Sequence, residues 1–484
     1  MSEIDPTATL LPLAADNLLA AREMMAFTLG FHIVLASIGV ALPAMMLLAE
    51  YRGRKHGDEE ALALARQWSK AAAVLFAVGA VTGTVLSFEM GLLWPKFMEQ
   101  WGDVFGTGFA IEGIFFFTEA IFIAIYIYGW KRLEGWKHFW TGVPIVIAGI
   151  GGAFSVVAVN SWMNQPDGFE TAADGTITNI EPLGALFNPA TGYEFPHMLL
   201  AAYMVCGFGL ASIYAVGWLK GRRDRRHRLG FLIPFTVAAL VTPLQLFVGD
   251  TAARAVADHQ PAKFAGMECI QETGPDQTEW LGGICTSDGV KFGIGIPGFD
   301  SFLVDFNTDT VVTGLDDIPP DERPPANTLL HLSFDGMVGI GSALLLLGGW
   351  FGFSWWRRRE PPESKWFWRA AALAGVGSVL AMWMGWIVTE VGRQPGIVQG
   401  LMRTEDAVTD AGGIWFAFGG AVLLYTALGV LTFKAVRLIA RPEAAGEIGD
   451  VPYGPREGPL GGEPPREPEP EPSGTGTSAE GDGR

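Results

Sequence analysis

Apolar residues in this chain gather into long unbroken runs instead of alternating with polar ones. The runs lie near 17–48, 70–93, 109–130, 139–163, 196–219, 230–250, 329–354, 366–390 and 413–437. Each is roughly 20 residues or longer, enough for a helix to cross the hydrocarbon core of a bilayer. Continuous runs argue against a membrane barrel, whose strands alternate between lipid and lumen. The pattern predicts an all-α integral membrane protein, a bundle of about nine transmembrane helices.

Basic residues orient that bundle. Arg52, Arg54, Lys55, Arg66 and Lys70 follow the first run, Lys131, Arg132 and Lys137 the third, GRRDRRHR the fifth and WRRREPPESK the seventh. The alternate connections are poor in them: 164–195 has no Lys or Arg, and 94–108 has only Lys96. The positive-inside rule places the N-terminus outside and the C-terminus in the cytoplasm, which an odd number of spans also requires. The opening MSEIDPTATLLPLAADN lacks the basic region and cleavage pattern of a secretory signal, so the first span is expected to stay.

Composition adds two segments to this picture. The 484-residue chain is 49% hydrophobic with a formal charge of −18, and its acids sit mainly in connections and the C-terminal tail, so nothing suggests a nucleic-acid partner. Residues 1–440 are expected to form one membrane domain with a polar, Gly-, Pro- and Asp-rich outer loop at about 251–328. A loop of that length without clear secondary structure is usually functional or disordered. The Pro-, Glu- and Gly-rich segment 441–484 cannot bury a core and is expected to be a disordered cytoplasmic tail. Cys206 lies in a span as packing. Cys269 and Cys285 share the outer loop, where they can form a disulfide or remain thiols.

Ionisable side chains inside a bilayer are costly, which makes them functional candidates. At about 1.5 Å per residue, His197, Met337, Glu390, Glu112, Glu119 and Glu89 fall in the outer half of their spans and His32 nearer the middle. A His/Met pair gives a six-coordinate electron-transfer haem, and His197 and Met337 match in depth. Taken singly, a span histidine is more often a hydrogen-bonded packing residue, and Met is common gap-filler; the shared depth of several candidates favours cofactors. Glu112 and Glu119 are nearly two turns apart and can face one cavity as a proton relay, or stand as protonated, hydrogen-bonded carboxyls. Glu390 and Arg393 lie within one turn, ahead of Pro395. Arg393 can pair with Glu390 or a haem propionate, or snorkel at the interface. Lys263 and Glu268 in HQPAKFAGMECIQ can bind and deprotonate a hydroxylated ring, or line a solvated face.

The segments AREMMAFTLGFH, SFEMGLLW, FAIEGIFFFTEA, VNSWMNQP, EFPHMLLAAY, GDTAARAVADHQPAKFAGME, DGMVGIG and WIVTEVGRQP occur in that order. With nine spans and an outer loop after the sixth, the chain resembles subunit I of the cytochrome bd-type quinol oxidases, of the short Q-loop type, over roughly residues 17–437. The resemblance implies three haems. His197 and Met337 match the axial ligands of a low-spin haem b, His32 the histidine of haem d, and Glu390 the carboxylate ligand of a high-spin haem b. Glu112 matches the glutamate beside the paired haems, Glu119 the one feeding protons to it, and Trp386 a tryptophan between haems. Arg393 matches the arginine of the GRQP signature. Lys263 and Glu268 match the quinol-binding residues of the Q-loop, with Gln260 nearby.

The implied activity is quinol oxidation at the outer face coupled to reduction of oxygen to water, generating proton motive force without a pump. It would run in a bacterial cytoplasmic membrane beside subunit II, among lipids and with room for a small single-span accessory subunit. Three positions depart from the family pattern. Asp335 stands where an arginine is usual two residues before the ligand methionine, Gly396 follows GRQP where Trp is common, and the Glu112–Glu119 spacing is one residue short. A negative charge at 335 disfavours a reduced haem, which bears on that haem's potential or donor; the alternative in the same area is a haem-b-only relative with another donor or acceptor. A haem-free ion transporter is the alternative of a different class, and purified colourless protein would favour it.

Overall fold

A computed structural model describes residues 6–173 and 177–440. The N-terminal Met1–Asp5 and the predicted tail 441–484 lie outside the described residues. Among those described, nine helices are long and apolar enough to cross a membrane. They are α1 (Pro6–His56), α2 (Glu59–Leu93), α3 (Pro95–Gly129), α4 (Trp136–Asn164), α6 (Thr191–Leu219), α7 (Arg225–His259), α10 (Asn327–Arg358), α11 (Lys365–Gly392) and α13 (Ile414–Ile439). Short helices α5 (Pro182–Leu186), α8 (Pro261–Glu268), α9 (Phe299–Asp305) and α12 (Thr404–Ala407) lie in the connections.

The helices outrun the apolar runs that predicted them. The 35 residues of α2, α3 and α7 span about 50 Å at 1.5 Å per residue, against about 30 Å of hydrocarbon. Their polar ends therefore project beyond it as helix, capped where the chain turns. Asp58 caps α2 by accepting from the Ala61 amide, and Asp224 caps α7 through His227. Arg52 and Arg225 both bond the Asp58 carboxylate, at 3.2 and 2.6 Å, tying the α1–α2 turn to the start of α7. The Arg225 guanidinium holds the Asp58 carboxyl below its usual range. Because α3 starts at Pro95, Glu112 lies roughly midway along it rather than near its first turn.

Four helices form a closed group. α6 packs on α7 and α11, and α10 packs on the same two, so α6 and α10 stand diagonally across from each other. Phe208, Phe231, Phe235, Phe351, Phe367 and Trp368 fill one end of this group. α1 joins it through Ile33, which packs with Val205 of α6 and Met382 of α11.

The long connection at about 251–328, expected on the outer side, is folded, contrary to the expectation of a segment without clear secondary structure. Its first nine residues, to His259, continue α7, and α8 follows at once. Strands β3 (Glu279–Leu281) and β6 (Ile294–Ile296) pair antiparallel, as do β4 (Ile284–Thr286) and β5 (Gly289–Lys291) between them, forming one bent ribbon. The bend falls at Gly282 and Gly283, both at positive φ. A Cβ on Gly283 would come within 2.9 Å of the Gly293 amide nitrogen, so only glycine fits there. Cys269 and Cys285 are joined as a disulfide, fastening the ribbon to the end of α8. Closing a loop of this size removes about 3 kcal/mol of unfolded-state freedom. Thr328 of α10 bonds both the amide and the carbonyl of Cys285. Strands β1 (Glu170–Thr171) and β2 (Ile177–Thr178) pair in the connection after α4, and β7 (Gly396–Val398) pairs with β8 (Met402–Arg403) beyond α11.

Candidate functional site

His197, in the second turn of α6, points at α7. A Cβ on Gly249 would lie 3.1 Å from His197 Cε1, so the bare glycine admits the ring. Gln245, one turn earlier on α7, contacts His197 Nε2 at 3.2 Å. His197 Nδ1 and Gln245 Oε1 are buried without a hydrogen-bonding partner among the described residues. Met337, on the diagonal helix α10, is set against α11, where a Cβ on Gly385 would meet its sulfur at 2.9 Å. Gly336 makes the same accommodation for Met384. Small residues let α10 and α11 approach closely. The orphaned His197 Nδ1 and Gln245 Oε1, with glycines beside both His197 and Met337, are compatible with a bound group at these two side chains.

His32 lies on α1 with Nδ1 2.8 Å from Thr82 Oγ1 of α2. The Thr82 hydroxyl itself donates to the carbonyl of Val78 or Gly79. The proton in the His32–Thr82 bond is therefore the one on Nδ1, and Nε2 keeps its lone pair. Such a partner sets the tautomer of a ligating histidine. Gly83, whose Cβ would come 3.1 Å from His32 Cε1, leaves the ring its space. Around it, Trp383 Nε1 donates to the Gly30 carbonyl and Ser37 Oγ contacts Met382 Sδ at 3.1 Å. These contacts bring the His32 segment of α1 against the stretch of α11 that carries Trp386 and Glu390. Buried Glu89 of α2 accepts from Thr28 of α1 through Oε2, and its Oε1 has no partner.

Glu390, Arg393, Lys263 and Glu194 converge where α11, α8, α6 and α4 meet. Arg393 Nη2 donates to Glu390 Oε2 at 2.6 Å and Asn160 Nδ2 to Glu390 Oε1 at 2.9 Å. Arg393 is 4% exposed, which excludes snorkelling, and its Nε and Nη1 are buried without partners among the described residues. Two unfilled guanidinium donors fit an anionic group such as a propionate. Asn164, one turn after Asn160, donates to Glu194 at 3.1 Å. Lys263 stacks its chain on Gly392. Burial pushes the Lys263 ammonium down to about 8, against the opposing pull of Glu194. The sequence reading missed Asn160, Asn164 and Glu194; a pair of asparagines one turn apart at the end of an apolar span was the available signal.

Glu268 does not accompany Lys263. Five residues on one helix turn the side chains about 140° apart, so α8 presents them to different neighbours. Both are nearly fully buried, at 5% and 3% exposure, which excludes the solvated-face reading. Glu268 meets Glu279 of β3 and Asp300 of α9, neither of which the sequence reading selected, with carboxylate oxygens within 4.8 Å of one another. Burial and the neighbouring carboxylates push Glu268 upward, Glu279 to about 7 and Asp300 to about 8. Asp335 of α10 adds its charge to the same region. Its carboxylate accepts from the Gly282 amide at the ribbon bend and lies 3.4 Å from His331. Gln260, between α7 and α8, is fully buried, and neither side-chain amide atom has a partner among the described residues.

On α3, Phe116 stacks on Phe76 of α2 while Phe115 fills the space at Gly151 of α4. Glu112 and Glu119 project between these two directions, about 20° apart in bearing, and so share one face of the helix. Gly396 lies in β7, where a Cβ would come within 3.2 Å of the Val398 carbonyl, a local reason for glycine after GRQP.

The family described as cytochrome bd terminal oxidase subunit I matches residues 20–444. A Bacillus subtilis (strain 168) chain provisionally named cytochrome bd menaquinol oxidase subunit I is 34% identical, over 86% of this chain and 94% of its own length. Cytochrome bd ubiquinol oxidase subunit 1 of the same strain is 31% identical over 90% and 96%. The solved bd oxidase from Geobacillus thermodenitrificans superposes with a TM-score of 0.80 at 35% identity, covering 88% of this chain and 98% of that one. The chain belongs to the cytochrome bd terminal oxidase subunit I family.

Proposed function

We propose that this chain is the quinol-oxidising, oxygen-reducing subunit of an electrogenic terminal oxidase in a bacterial cytoplasmic membrane, paired with a subunit II. The observation that carries the reading is the placement of His197 and Met337 on diagonal helices of one four-helix group, with buried unpartnered atoms and bare glycines around them. His197 and Met337 would hold a low-spin haem b, Glu390 a high-spin haem b and His32 haem d. Bound haems supply the one-electron and oxygen chemistry. Lys263 binds and orients a quinol hydroxyl and Gln260 offers its amide, while Glu268 faces the Glu279 and Asp300 carboxylates instead. Glu119 and Glu112 hold protons on one interior face of α3. Arg393 receives a propionate with the donors that Glu390 leaves free, and Trp386 lies between the His32 and Glu390 segments. With the N-terminus outside, quinol protons leave on the outer side while those for water arrive from the cytoplasm. Charge then separates without a pump.

Pyridine haemochrome analysis of the purified complex tests this directly. Haem b and haem d are both expected. Haem b alone points to the haem-b-only relative. A well-folded preparation without iron would sink the reading.

Lys263 gives a pH test. Held at about 8 instead of 10.5, it carries its proton below that value and loses it as pH rises through it. Quinol KM is expected to rise above pH 8. Lys263→Met should remove that inflection and raise KM roughly 10–100-fold, the cost of one hydrogen bond to a charged group, with haem bands unchanged. A variant that keeps both KM and the inflection assigns quinol binding elsewhere.

A further inference from the structure

We infer that the folded outer loop holds a hard divalent cation of the calcium class, bound by Glu268, Glu279 and Asp300. These carboxylates come from three separate elements, each fastened in place. Glu268 ends α8 beside the Cys269–Cys285 disulfide. Glu279 opens β3. Asp300 starts α9, whose Ser301 hydroxyl accepts from the Gln277 amide at 2.9 Å and whose Asp300 amide donates to the Gln277 carbonyl at 3.2 Å.

The oxygens lie within 4.8 Å of one another. Two oxygens bound to one Ca²⁺ at 2.3–2.6 Å are at most about 5 Å apart, so the spacing admits one ion shared by all three. Burial separates this group from ordinary surface acids. Glu268, Glu279 and Asp300 are 3%, 7% and 1% exposed. Both Asp300 oxygens, Glu268 Oε2 and Glu279 Oε2 have no hydrogen-bonding partner among the described residues. The charges that act on the three are all carboxylates, Asp335 included. Lys263, the basic residue on α8, turns to Glu194 and Glu390 instead. Buried charges need a counter-ion or a ligand role, and an oxygen-only donor set selects a hard cation. A cation here would brace α8, the ribbon and α9 against one another next to the proposed quinol residues.

The test uses the purified oxidase complex, first as isolated, then after EGTA and desalting, and then with added Ca²⁺. About one Ca²⁺ per chain, as one shared site requires, is expected by emission spectroscopy, and EGTA should remove it. Protease cleavage within residues 260–326 should rise severalfold without Ca²⁺ and fall back on its return. Glu279→Gln and Asp300→Asn should each lose the metal and the Ca²⁺ response while keeping the haem spectrum. Unaltered protein that retains no Ca²⁺ and whose cleavage ignores it would overturn the inference. So would variants that respond as the parent does. None of these readouts involves quinol or oxygen, so their failure leaves the oxidase reading standing. Iron-free protein would sink that reading and leave this one testable.

Discussion

His197→Ala is expected to abolish the low-spin haem b band and quinol-supported oxygen consumption while a high-spin signal persists. The ring enters the four-helix group opposite α10, with Gly249 clearing its path and Gln245 as its neighbour. Loss of even a ligand's hydrogen-bonding partner typically costs 10–100-fold, so loss of the ligand itself should exceed ~100-fold in turnover. The persisting high-spin signal separates ligand loss from misfolding, because His32 and Glu390 sit on other helices. A dithionite-minus-air spectrum of the variant in membranes makes the comparison. An unchanged spectrum would show that His197 is a packing residue and that α6 contributes no iron ligand.

Much of this architecture was visible in the hydrophobic pattern because lipid imposes it. A helix facing hydrocarbon must be apolar along its length, so nine runs gave nine helices. Exceptions such as His32, His197 and Glu390 stood out against them. The pattern could not show how far α3 and α7 continue past the hydrocarbon, since polar sequence is compatible with both helix and loop. The outer loop was the least legible part for a related reason. Its fold depends on a disulfide, a glycine bend and Thr328 bridging to Cys285, contacts between positions far apart in sequence with no periodicity to announce them. Lys263 and Glu268 were found together by spacing, but spacing could not show that α8 sends one to the Glu194–Glu390 group and the other to Glu279 and Asp300. Glu194 escaped notice because it stands at the start of α6, where an acid suits the helix dipole and calls for no explanation.

His32→Ala is expected to stop oxygen consumption altogether, with the low-spin haem b band retained, because the proposed electron-entry site lies on α6 and α10 and not on α1. The more discriminating change is at Thr82. Its hydroxyl donates along its own helix to Val78 or Gly79 and accepts the His32 Nδ1 proton at 2.8 Å, leaving the lone pair on Nε2. Thr82→Ala removes that acceptor without touching the imidazole. The ring is then free to place its proton on either nitrogen and to rotate into the space beside Gly83. Turnover should fall roughly 10–100-fold, as for other partners of ligating histidines, and the red band assigned to haem d should shift. Thr82→Ser restores the hydroxyl and should recover both. If Thr82→Ala leaves band and turnover unchanged, the hydrogen bond does not orient a ligand. Should Thr82→Ser fail to rescue, the methyl group matters instead, and Thr82 acts by packing α2 against α1.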